Sequence, residues 1–213
     1  MAIKLKLYDA IIGIDPGLSG AISIMSNGAK TPEIFDAPTL KIANPNKKSK
    51  IKTKKDMDES GIVDIFSKLK SENVIVGLER VHAMPGQGNV SMFNFGVGYG
   101  IYRGIIQAFR FTLVEASPQS WKKSYSDLNT PEMMDLKQQI SDLRKTLKLS
   151  KDKAIKKEID KYNKDIKTLA KTAARELAAK LYPSLADKFK LKKHDGRAEA
   201  LLICNFIKES HDK

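Results

Sequence analysis

Short apolar runs bounded by turn residues recur along the chain at residues 7–15, 21–25, 33–35, 74–79 and 111–116, and each reads as a β-strand. Between them the period changes. Ile62, Ile65, Phe66 and Leu69 fall on one face of a helix that begins at Asp58 or Ser60. A second helix opens near Ser91 and carries Gly96, Gly100 and Gly104 at four-residue spacing. Each glycine costs a helix about 1 kcal/mol relative to alanine, so the stripe calls for close packing, either on the chain's own sheet or against a second copy. From Pro131 to Tyr182 the chain is helical and highly charged, with breaks expected near Leu149 and Ser150 and before Ala170. Leu136, Ile140, Leu143 and Leu147 line one face there, and Ile155, Ile159, Tyr162, Ile166 and Leu169 another, which reads as an antiparallel helical hairpin. Strands and helices together predict one α/β domain spanning residues 1–213, with a charged hairpin inserted at about 129–165.

Two of the strands end in an acid. In Ile11-Ile12-Gly13-Ile14-Asp15-Pro16-Gly17-Leu18-Ser19-Gly20-Ala21-Ile22, a Pro-Gly turn follows Asp15 and an apolar run leaves it, the pattern of a hairpin. Val74-Ile75-Val76-Gly77-Leu78-Glu79 repeats the arrangement. An unpaired carboxylate in an apolar setting costs several kcal/mol unless a cation or hydrogen bonds compensate it. Asp15 alone would read as a turn cap. Two parallel strands ending in carboxylates, however, place both at the sheet edge where open α/β folds carry their sites. In Lys192-Lys193-His194-Asp195-Gly196-Arg197-Ala198-Glu199, a helix start would set Asp195 and Glu199 one turn apart on one face, as ligands or as groups serving the helix dipole.

Charge narrows the partner. Lys and Arg number 38 against 25 Asp and Glu, a net +13, which favours a polyanion, with nucleic acid the leading candidate. The run containing Lys47, Lys48, Lys50, Lys52, Lys54 and Lys55 reads as a basic loop that grips phosphates or is simply solvated. Trp121 lies in a loop beside Lys122 and Lys123; it stacks a base there, or plugs the core with its indole N–H hydrogen-bonded. Cys204 is the single cysteine, so no internal disulfide forms and a reducing compartment is expected. No apolar run approaches the roughly 20 residues of a membrane span, and residues 1–6 lack a signal-peptide core, so a soluble protein without a membrane partner is expected.

Gly13-Ile14-Asp15-Pro16-Gly17, Leu78-Glu79-Arg80-Val81, the glycine-rich helix, Pro118-Gln119-Ser120-Trp121-Lys122 and His194-Asp195-Gly196-Arg197-Ala198-Glu199-Ala200-Leu201 together resemble the RuvC family of Holliday junction resolvases, above all its phage-borne branch. The match runs in order along nearly the whole chain, apart from the basic loop and the helical hairpin.

The resemblance implies an RNase H-like fold, a mixed five-stranded sheet flanked by helices, and a homodimer that acts on branched DNA as a crossover junction endodeoxyribonuclease. It implies a cytoplasmic, nucleoid-associated protein of a bacterial or phage-infected cell, serving recombination, repair or phage DNA processing. Four acids, at positions matching Asp15, Glu79, Asp195 and Glu199, would bind two Mg2+ ions, with Mn2+ able to substitute. In better-known members the last two acids lie three apart. Here that spacing lands on Gly196, which leaves Asp195 offset by one residue and His194 as the substitute ligand. Lys122 and Lys171 match lysines near the scissile phosphate, and His82, or Met84 in its place, matches an aromatic that stacks into the opened junction.

Residue chemistry points the same way: a set of acids without cysteine suits magnesium better than zinc. Two rival readings stand beside the nuclease. One is a non-catalytic branched-DNA-binding protein, against which four intact acids count. The other is an actin-like or sugar-kinase-type ATPase, against which the lack of a second Asp-x-Gly hairpin counts.

Overall fold

A computed structural model of the protein describes residues 8–44, 50, 52–69, 73–81 and 88–211. In chain order the elements are β1 (Ala10–Asp15), β2 (Ala21–Ser26), β3 (Glu33–Asp36), β4 (Thr39–Ala43), β5 (Thr53–Met57), α1 (Glu59–Ser67), β6 (Val74–Glu79), α2 (Asn89–Ala108), β7 (Thr112–Ala116), α3 (Pro118–Lys123), α4 (Pro131–Ser150), α5 (Lys153–Leu181) and α6 (Asp195–His211). They form two compact units: the described residues up to Trp121 together with those from Gly196 onward, and residues Lys122–Asp195.

The first unit is mixed α/β. Its five-stranded mixed sheet runs β3-β2-β1-β6-β7, with β2 antiparallel to β1 and to β3, and with β1, β6 and β7 mutually parallel. The expected strands are all present. A second, two-stranded antiparallel ribbon pairs β4 with β5, Thr39 opposite Met57 and Ala43 opposite Thr53. Lys54 and Lys55 therefore sit on a strand, where a loop was expected. Their charges hide an alternation, since Lys54 and Asp56 are half-buried and Thr53 and Lys55 exposed.

One face of the sheet carries Ile12, Ile14, Val76 and Leu78 into a core with Ile62 and Phe66 of α1 and Tyr102 and Ile106 of α2. Helix α1 starts where its sequence directs: the Asp58 carboxylate accepts from the Gly61 N–H at 3.0 Å, and Ile62, Ile65 and Phe66 are buried. Helix α6 covers the opposite face, where Gly13 and Gly77 stand side by side in register. A Cβ on Gly13 would lie 2.2 Å from the Ala200 carbonyl oxygen, and one on Gly77 would lie 2.4 Å from Ile207 Cγ1. The two glycines thus form a smooth floor that lets the helix approach the strands. Gly196 extends that contact, since its Cβ would meet the Ser19 carbonyl oxygen at 2.4 Å. Arg197 clamps the head of α6 to β3 through paired bonds to Asp36, at 2.5 and 2.7 Å. Cys204 is buried on the sheet-facing side of this helix, and burial pushes its thiol up to about 12.

Helix α2 is tied to β7 by Glu115, which accepts from Arg103 Nη1 at 2.6 Å and from the Tyr99 hydroxyl. Among the described residues, nothing lies within 4 Å of a Cβ built on Gly96, Gly100 or Gly104. Their stripe is not packed on the chain's own sheet, which removes that one of the two explanations for it.

The second unit is helical. Thr130 caps α4 by accepting from the Met133 N–H at 3.3 Å, and Pro131 follows at the first helical position. Lys151 ends α4 in the left-handed region, φ 53°, and Asp152 caps α5 by accepting from the Ala154 N–H at 2.7 Å. The hairpin thus turns just after Leu149 and Ser150, as expected. The break expected before Ala170 is absent: α5 is continuous to Leu181. Ala170, Ala173, Ala174, Ala178 and Ala179 favour helix there, and no proline occurs until Pro183. The hairpin is accordingly longer than residues 129–165.

Candidate metal centre

The geometry of the site follows from strand parity. Side chains alternate between the faces of a sheet, so Asp15 projects on the same face as Gly13, and Glu79 on the same face as Gly77. That is the face covered by α6. Register pairs Ile14 with Leu78, so the next residues, Asp15 and Glu79, finish neighbouring parallel strands at one edge. Glu199 lies one turn into α6, close to where Gly196 touches the Ser19–Gly20 segment. Three elements therefore aim carboxylates at one place.

Asp15, Glu79 and Glu199 each offer an oxygen, and these oxygens all lie within 4.8 Å of one another, with all three residues half-buried. Three carboxylates this close repel one another in a partly desolvated setting, and a cation relieves the repulsion. The donor set is all oxygen, the preference of a hard cation. The residues present therefore fit a metal ion.

Neighbouring groups orient the acids. Trp121, fully buried, donates its indole N–H to Glu79 Oε1 at 3.1 Å. The tryptophan is thus a core plug whose N–H is satisfied by a site acid, and the segment expected as a loop is the short helix α3. Asp15 Oδ1 accepts from the Gly17 N–H at 3.4 Å, which closes the turn around the acid. Tyr102, on the other side of the sheet, is buried, and its hydroxyl has no partner among the described residues. Burial, and then the charge of Asp15, raise that phenol well above its ordinary range.

The other expected site residues are placed as follows. Asp195 belongs to the helical unit, where Arg175 Nη1 bonds its Oδ1 and Lys171 Nζ bonds its Oδ2 at 3.1 Å. Asp195 and Arg175 are both largely buried, with side-chain exposures of 18% and 12%. Lys171 is therefore engaged with an acid. His194 is buried, and its Nδ1 accepts from the Leu191 N–H at 3.4 Å. Lys122 is half-buried and Lys123 exposed at the end of α3. Lys50 and Lys52 are exposed, whereas Lys47, Lys48, His82 and Met84 lie outside the described residues.

The sequence assigned no such role to the residues that seat α6: Gly13, Gly77 and the Arg197–Asp36 pair. A glycine inside an apolar strand is a signal for close backbone approach, and two occur at matching places before the two acids. No sequence signal links Arg197 to Asp36, 161 positions away.

Beginning at the residues that follow Asp15, a groove of about 710 Å3 runs between the Pro16–Ser19 turn, β5 and α2. Leu18, Lys54, Lys55, Phe95 and Ile101 are among its walls. Among the described residues no helix is long and apolar enough to cross a membrane. Neither the protein-family models nor the curated proteins compared with this sequence give a match.

Proposed function

We propose that the protein is a magnesium-dependent endonuclease that hydrolyses phosphodiester bonds at DNA branches such as Holliday junctions, on an RNase H-like sheet. The observation that carries this reading is the convergence of Asp15, Glu79 and Glu199 to within 4.8 Å at one edge of the sheet. Net charge of +13 supports a polyanionic substrate, and the motif order supports the RuvC-like identity.

Asp15, Glu79 and Glu199 are the proposed ligands of two Mg2+ ions, which Mn2+ can replace. Bound ions of this kind supply a polarised water and a positive field for the charge that develops on the scissile phosphate and its leaving oxygen. The protein's part is positional. Trp121 fixes the rotamer of Glu79, the Gly17 N–H fixes that of Asp15, and the glycine floor under α6 sets the height of Glu199. Without a cation, the three acids would repel DNA phosphates, so productive binding should need metal.

A homodimer accompanies the reading. On α2, Phe93 is 71% exposed beside Gly96, Gly100 and Gly104, whose outer side is open among the described residues. Such a face suits close approach of a second copy, and twofold symmetry matches the paired strands of a four-way junction.

The deciding experiment incubates the wild type and Asp15→Asn with a synthetic four-way junction and the matching linear duplex, with Mg2+ and with EDTA. Metal-dependent nicking of the junction by the wild type alone is expected. Absence of any cut product from the wild type in Mg2+ would overturn the reading and favour a non-catalytic junction-binding protein.

A further inference from the structure

We propose that the groove between the Pro16–Ser19 turn, β5 and α2 takes an unpaired DNA strand beside the scissile phosphate, so that the substrate is DNA with unpaired nucleotides at the branch. This rests on the nuclease reading and names the part of the substrate that selects it.

Continuity with the acids is the first ground. Pro16 and Gly17, which begin the groove, directly follow Asp15, and the Gly17 N–H is bonded to the Asp15 carboxylate. A strand leaving the acids over this turn enters the groove at once. Size is the second. At about 710 Å3 the groove falls in the range of ligand clefts, roughly 300–1,000 Å3, that enclose groups the size of a nucleotide or two, far too small for a duplex.

Chemistry is the third ground. Leu18, Phe95 and Ile101 give the walls an apolar surface for bases, and Lys54 and Lys55 give two cations for phosphates, with Asp56 the one opposing charge among the described residues that line it. Apolar and aromatic surface beside a basic strip is the general solution for holding single strands. The β4–β5 ribbon supplies those lysines from a fixed strand, and fixed donors lose less entropy on binding than donors on a loop.

The groove and the glycine stripe occupy different faces of α2. At about 100° per residue, Asn94, Gly98 and Ile101 lie on average roughly a third of a turn from the stripe of Phe93, Gly96, Gly100 and Gly104, and Val97 falls at the boundary beside Gly104. A second copy on the glycine stripe therefore leaves the Asn94, Gly98 and Ile101 side of the groove open to DNA.

The test compares wild type with Lys54→Ala/Lys55→Ala and with Leu18→Ser, by fluorescence anisotropy in Ca2+ over a range of salt, on a splayed-arm DNA and on a fully paired duplex. Thermal midpoints and sedimentation mass are followed in parallel. The double lysine variant should bind the splayed arm about tenfold more weakly at moderate salt, with the salt slope reduced by about 1.4, while duplex affinity changes less than about twofold. Leu18→Ser should lower splayed-arm affinity without altering the salt slope. Equal loss on both DNAs, or no loss on either, overturns the proposal. So does a fall in sedimentation mass for these variants, which would assign the groove to a protein contact. If the wild type cuts no junction yet the splayed-arm preference disappears in the variants, the groove assignment stands and the nuclease reading fails. A wild type that binds neither DNA overturns both.

Discussion

The indole N–H of Trp121 is 3.1 Å from Glu79 Oε1, a bond made by a fully buried side chain to an acid at the edge of the sheet. It couples core packing to the candidate metal centre. A hydrogen bond to a charged acceptor contributes about 1.5–3 kcal/mol, and Trp121 fills space that a smaller ring would leave empty. Trp121→Phe should therefore lower stability by about 2–4 kcal/mol in urea titration. Because Glu79 loses its orienting donor, divalent-metal affinity measured by calorimetry should fall about tenfold.

Metal should stabilise the fold. Three carboxylates within 4.8 Å repel one another, and a ligand that binds only the native state adds about 2.7 kcal/mol at a hundred times its dissociation constant. Saturating Mg2+ should raise the thermal midpoint and EDTA should return it. Asp15→Asn should lose that metal-induced shift, yet melt higher than the wild type in EDTA, because one of the three repelling charges is gone. An unchanged midpoint in EDTA would show that neighbouring groups already offset the repulsion among the acids.

Two glycines should answer alanine in opposite ways. At Gly13 the new Cβ would lie 2.2 Å from the Ala200 carbonyl oxygen and 2.3 Å from the Cys204 nitrogen, both backbone atoms of α6. Gly13→Ala should therefore cost about 3 kcal/mol or more. At Gly100 nothing described lies within 4 Å, so Gly100→Ala should stabilise the subunit by up to about 1 kcal/mol through helix propensity. The same methyl should weaken self-association through α2, which sedimentation at several concentrations would reveal.

Asp195 and Glu199 should separate in their effects. Both oxygens of Asp195 are committed, to Arg175 and to Lys171, so Asp195→Ala leaves a largely buried guanidinium without its counter-charge. A loss of about 2–4 kcal/mol is expected on denaturation, with metal affinity within about twofold of the wild type. Glu199→Gln should do the reverse, lowering metal affinity by more than tenfold with little change in stability. Calorimetry on both variants distinguishes an ion-pair anchor from a ligand.

Much of this was legible in the chain alone. Five strands, the helix from Asp58, the hairpin turn near Leu149 and Ser150 and the two strand-end acids are written in local patterns, because alternation and capping act over a few residues. What local patterns could not supply were distances across sequence. Lys54 and Lys55 looked like loop residues because the partner that makes them a strand, Thr39–Ala43, is itself only weakly apolar. Asp195 looked equivalent to Glu199 because they share a helix, and only the packing of α5 committed it to Arg175 and Lys171. The third acid was selected by the approach of α6 to Gly13 and Gly77, a steric permission that appears only when two glycines from separate strands meet one helix. Sequence set the carboxylates at the strand ends; tertiary packing decided which helix acid joined them, since a cluster of like charges forms only where the surrounding core holds it together.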